Sequence, residues 1–131
     1  MPLATVFSVY AVVTAVFSIA LLLLPNELMA VYGAHALDTL QVILSRFIGG
    51  LFGGLAVMAW TGRASEAGKA RDAIVLGLTV LNALSAVVAV VAALSGVFNA
   101  LAWAQAGLYA VFTLLFVLAG RAGMSPRTGA S

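Results

Sequence analysis

The sequence predicts an all-α membrane protein, a bundle of four spanning helices with both termini in the cytoplasm. Three observations predict it. The 131 residues are 64% hydrophobic and 8% charged, with a mean hydropathy of +1.18, and a soluble domain of this size needs far more charge to cover its surface. The apolar residues gather into four runs of about 22 residues, each long enough at ~1.5 Å per residue to cross a ~30 Å hydrocarbon core. Threaded through a membrane, the four runs leave five of the six Lys and Arg residues on one side.

The first run, residues 3–24, has no basic residue before it and exceeds the usual h-region of a signal peptide. It therefore reads as a true first helix, although Ala34-His35-Ala36 has the form of a cleavage site. Pro25 ends it. In the following PNELMAVYGAHALD, residues Leu28, Met29, Val31 and Tyr32 can line one side of a short interfacial helix closed by Gly33. Asp38 and Gln41 then have capping-box spacing, which predicts that the second spanning helix starts near Thr39 and covers residues 39–60. TGRASEAGKARDA is the most polar stretch and connects it to the third run, residues 73–94. The Ser95-Gly96 turn leads to the fourth run, residues 98–120, for which Asn99 is a candidate N-cap. A polar tail, residues 121–131, closes a single integral membrane domain.

Four spans put both termini and the second connection on the same side. That side carries Arg63, Lys69, Arg71, Arg121 and Arg127, and the positive-inside rule makes it cytoplasmic. The expected location is the bacterial cytoplasmic (inner) membrane, multi-pass, N-in and C-in.

The stretch Ser45–Trp60 combines a cation with two glycine pairs. Arg46 falls about two turns inside the second helix, roughly 10 Å below its start. It has two readings: a buried cation that binds an anionic headgroup, a quinone oxygen or a partner's carboxylate, or a side chain snorkelling to the outer interface and pairing with Glu27 or Asp38. Counted inward from the outer ends, Ser18 and Gln105 lie at the level of Arg46, Ser85 and Tyr109 somewhat deeper, and Asn82 near the middle. Such a layer can line a small outer-leaflet pocket for a lipophilic or anionic ligand. Equally, Ser and Thr bond to their own backbone, and Asn and Gln serve as interhelical glue.

Gly49/Gly53 and Gly50/Gly54 form small-xxx-small patterns, and Ala102, Ala106 and Ala110 form another. Such faces pack helices closely, either within the bundle or against another subunit. His35, the single histidine, reads as a solvated loop residue, with haem or pigment ligation as its alternative. Trp60 and Trp103 take aromatic-belt positions.

Several function classes have no support in the residues. No Asp or Glu falls inside the four runs, which argues against a proton-coupled exporter. There is no catalytic triad pattern, no metal-ligand cluster and no phosphate loop. With no cysteine, thiol and iron–sulfur chemistry are excluded, and six dispersed basic residues make no nucleic-acid patch. The chain is expected to be non-enzymatic and to carry neither cofactor nor metal. Its expected partners are membrane lipids and either other membrane subunits or further copies of itself.

Pro25 after the first helix, Leu28, Val31-Tyr32-Gly33, and Arg46 with Gly49-Gly50 and Gly53-Gly54 form a pattern. With the basic connection and two plain helices that follow, this resembles small bacterial four-helix membrane proteins of unknown function with DoxX-like relatives. The resemblance covers nearly the whole chain. It implies a cytoplasmic-membrane bundle and carries over no catalytic residue. Taken together, the expected role is an accessory or scaffold subunit that packs through small-residue faces, with a ligand-binding or transport bundle around Arg46 as the alternative.

Overall fold

The computed structural model describes residues 2–123, so the tail from residue 124 onward, including Arg127, lies outside the described residues. The described chain is all-helical: α1 Leu3–Leu23, α2 Pro25–Val31, α3 Thr39–Gly62, α4 Lys69–Leu94 and α5 Leu101–Gly123. Four of the five, α1, α3, α4 and α5, are long and apolar enough to cross a membrane.

Local chemistry sets the boundaries. Leu24 precedes a proline, whose ring disfavours helical geometry in the residue before it, so α1 stops and Leu24 takes φ −133°. Pro25 then starts α2 at a position where its missing N–H costs nothing. Gly33, at φ +80°, turns the chain out of α2, and Leu37 N–H donates to Asn26 Oδ1 (2.8 Å), tying the loop back onto it. The capping box is complete. Asp38 Oδ1 accepts from Gln41 N–H (2.8 Å), and Gln41 Oε1 accepts from Asp38 N–H (3.0 Å). Helix α4 begins at Lys69, four residues earlier than the apolar run suggests, because its first turn is polar and carries Asp72 at the positive end of the helix dipole. Helix α5 begins at Leu101, with Asn99 Oδ1 accepting from Leu101 N–H (2.9 Å).

The helices pack chiefly as two pairs, α1 with α3 and α4 with α5, and the main contact between the pairs is α1 with α5. The buried core is concentrated at one end of the molecule. Leu3, Val6, Phe7 and Tyr10 of α1 meet Phe112, Phe116 and Ala119 of α5 there, joined by Ala59 and Leu78. Edge-to-face rings hold this end together, with Tyr10–Phe112 centroids at 4.9 Å and Tyr10–Phe116 at 5.2 Å. Large apolar side chains such as Val16, Phe47, Leu51, Val88 and Leu114 face outward, as a lipid-facing surface requires.

Candidate functional site

At the other end the two pairs separate, and a cleft of about 270 Å³ opens between them. Its wall is mostly apolar: Phe17 and Leu21 of α1, Leu28 and Met29 of α2, Ile48 and Phe52 of α3, Ala89 and Ala92 of α4. The polar groups on it are Ser45, Tyr32, Gln105 and Tyr109. Tyr32 O–H donates to Gln105 Oε1 at 2.5 Å, linking the end of α2 to α5. The Gln105 amide N–H groups make no hydrogen bond to another described residue, and neither do the hydroxyls of Tyr109 and Ser45. No charged side chain lines the cleft. Burial holds the Tyr32 phenol neutral above its ordinary pKa of 10.0, and the nearby Tyr109 phenol adds to the shift.

A clasp sets the position of Tyr32. Asn99 N–H donates to Tyr32 C=O (2.8 Å), and Asn99 Nδ2 donates to Val31 C=O (3.0 Å). Gly33 makes room for this contact, since a Cβ there would meet Asn99 Cβ at 3.2 Å. The clasp joins the α1–α3 side of the cleft to the α4–α5 side. The sequence names Asn99 only as a helix cap and Gly33 only as the close of the short helix, and neither segment on its own signals that the two meet.

Helix α3 presents three different faces, and they separate the residues of Ser45–Trp60. The first face packs on α1. A Cβ on Gly49 would meet Leu21 Cβ at 3.0 Å and the Leu22 backbone nitrogen at 3.1 Å, and one on Gly53 would meet Ser18 Oγ at 3.0 Å. Ser18 Oγ–H donates to Gly49 C=O (2.7 Å) across this seam and is buried, so its hydroxyl is committed to holding α1 and α3 together. The second face, with Ser45, Ile48 and Phe52, lines the cleft. The third looks outward. Arg46 and Gly50 line a shallow surface depression with Ile43, Phe47 and Leu51, away from the cleft. Gly50 and Gly54 have open space where a Cβ would be. Arg46 is exposed and makes no hydrogen bond or ion pair with another described residue, Glu27 and Asp38 included.

No family model, curated protein or solved structure matches the chain.

The remaining sequence candidates fall in different places. Ala102 and Ala106 are buried, whereas Ala110 of the same row is exposed. Asn82 is fully buried, and its Nδ2 donates to Leu78 C=O (2.7 Å). The Tyr10 phenol lies against Asn82, yet Asn82 Oδ1 accepts no hydrogen bond of normal geometry. Asn82 belongs to the core between α1 and α4, not to the wall of the cleft. His35 is exposed on the loop after α2. Among the described residues no group of three or more His, Cys, Asp or Glu could hold a metal ion. At the end of the molecule opposite the cleft, the Arg63 guanidinium lies 3.6 Å over the Trp60 ring and donates to Trp60 C=O.

Proposed function

We propose that this chain is a non-enzymatic accessory subunit of the bacterial cytoplasmic membrane, which docks a partner helix on the outward face of α3. One observation carries the proposal: of the two glycine pairs, Gly49/Gly53 is used inside the protein, while Gly50/Gly54 meets nothing. A Gly costs helix stability relative to Ala, roughly 1 kcal/mol per residue. Two glycines one turn apart in open space have no internal packing reason, and a close-approaching helix from another chain supplies one.

Arg46 lies on the same stripe, one turn before Gly50. In a two-fold pair of identical helices, Arg46 would face its own copy at equal depth. Two like charges ~8 Å apart repel by about 2 kcal/mol at an effective dielectric of 20. The stripe thus favours a different chain, one with a carboxylate at the matching depth, over self-association. The N-in, C-in orientation belongs to the same proposal and is supported by Arg63, Lys69, Arg71 and Arg121 at the end opposite the cleft. The DoxX-like resemblance agrees with this reading and adds no chemistry to it.

The test is the double substitution Gly50→Leu and Gly54→Leu, with co-purification from membranes in mild detergent as the readout. Both side chains enter open space and replace a poor helix former, so the isolated protein should melt at or above the native temperature. A defined co-purifying membrane protein should be lost from the double variant, and lost from Arg46→Gln as well. Native protein that purifies alone, or an association that survives all these changes, refutes the proposal.

A further inference from the structure

The cleft is a separate feature from the docking face, and it has the construction of a small-molecule site. Its volume of about 270 Å³ lies just below the roughly 300–1,000 Å³ of typical ligand pockets. That size matches a body of one or two rings. The wall supports the same shape. Phe17 and Phe52 stand edge-to-face (6.4 Å, 89°), and Tyr32 and Phe98 do likewise (6.4 Å, 81°), leaving flat faces on which a planar ring can lie. Met29 adds an adaptable thioether to the wall.

The polar groups define the head of the ligand. Tyr32 commits its proton to Gln105 Oε1, which leaves the Gln105 amide protons as donors on the wall, with the Tyr109 and Ser45 hydroxyls able to donate or accept. In an apolar setting such donors are costly without an acceptor. Arg46, the one cation on α3 at this depth, points to a different face, so nothing in the cleft compensates a negative charge. We propose that the cleft binds a neutral, ring-sized lipophilic molecule bearing one oxygen head group, an alcohol, phenol or ketone, whose oxygen pairs with the Gln105 amide.

The wall contains residues of both helix pairs, so the occupant bridges them. The Asn99 clasp stands at the same end and ties Tyr32 in place. The orientation that results is head toward α5 and Tyr32, ring between Phe17, Ile48 and Phe52.

Calorimetric titration of the detergent-solubilised native protein tests this, with 2-naphthol, naphthalene and 2-naphthoate as probes and empty micelles as the partition control. The native protein should bind 2-naphthol above the micelle background, and bind it more tightly than naphthalene or naphthoate. Gln105→Leu should weaken 2-naphthol about 3–10-fold, the loss of one neutral hydrogen bond, and leave naphthalene unchanged. Ile48→Trp should block all binding by filling the cleft from its edge, where Ile48 is 46% exposed and a larger ring can be accommodated without disturbing the core. Binding no greater than to micelles, naphthoate binding as tightly as naphthol, or a Gln105→Leu variant with undiminished preference for naphthol would each overturn the proposal. None of these readouts depends on a partner protein, so this proposal and the docking proposal fail separately.

Discussion

Replacing Gly49 by alanine should destabilise the protein, and the same substitution one residue later should not. Both positions lie inside α3, so both gain up to about 1 kcal/mol of helix propensity from the new methyl group. Their surroundings decide the outcome. At Gly49 the added Cβ meets Leu21 Cβ and Leu22 Cγ at 3.0 Å and the Leu22 backbone nitrogen at 3.1 Å. The Leu21 Cβ and the Leu22 nitrogen are fixed to the main chain of α1, and neither swings aside by a rotamer change. Helix α1 must retreat by a few tenths of an ångström, and overpacking of this kind costs about 1–3 kcal/mol. The retreat also lengthens the 2.7 Å bond from Ser18 Oγ to the Gly49 carbonyl, which contributes about 1 kcal/mol. The net expectation is a loss of about 1–2 kcal/mol for Gly49→Ala. For Gly50→Ala no atom lies within 4 Å of the new Cβ, and a gain of up to about 1 kcal/mol is expected. The two variants should therefore differ by about 2 kcal/mol, roughly a 30-fold difference in unfolding equilibrium. Titration with sodium dodecyl sulfate in mixed micelles, followed by circular dichroism, resolves that difference. If Gly49→Ala is as stable as Gly50→Ala, the account of the α1–α3 seam is wrong.

Three further outcomes follow from individual contacts. Ser18→Ala removes the interhelical bond to Gly49 and should lower stability by about 0.5–1.5 kcal/mol in the same titration, with cleft binding of 2-naphthol unaffected because Ser18 does not line the cleft. Gly120→Ala would place a Cβ 2.7 Å from Val75 Cγ1. It should cost about 1–2 kcal/mol alone, and the loss should largely disappear on a Val75→Ala background, a coupling that a double-mutant cycle measures. Tyr32 has its phenol pKa raised by burial, so its docking on Gln105 is fully present below pH 10 and is lost as pH rises through the folded-state value. A spectroscopic titration at 295 nm should show a tyrosine component ionising later than a free phenol, and its amplitude should fall in Tyr32→Phe.

Most of the fold was legible because lipid imposes strong constraints. A helix that must bury its backbone polar groups within itself and span a fixed thickness announces its length in apolar residues. Pro25, the Asp38–Gln41 pair and the Ser95-Gly96 turn punctuate those runs with local chemistry that acts within four residues. The start of α4 was missed by four residues for the same reason in reverse, since its first turn is polar and hydrophobicity alone does not register it.

Facing is a different matter. In a soluble helix the apolar stripe marks the buried side, but a helix in lipid is apolar all round and its sequence does not say which side meets a neighbour. Gly49 and Gly50 are adjacent and chemically identical, yet one is pressed against α1 and the other meets nothing. Counting depth put Ser18, Arg46 and Gln105 in one layer; packing sends Ser18 to the α1–α3 seam, Gln105 to the cleft and Arg46 to the outward surface. The Asn99 clasp joins residues nearly seventy positions apart, with |i−j| of 68 for its side-chain bond, and no periodicity within either segment encodes it. The sequence by itself determined how many helices are long and apolar enough to cross a membrane and roughly where they lie, because those properties depend on each segment's own length and polarity. Only the tertiary structure decided which face of each helix is used, because facing depends on shape complementarity between segments far apart in the chain.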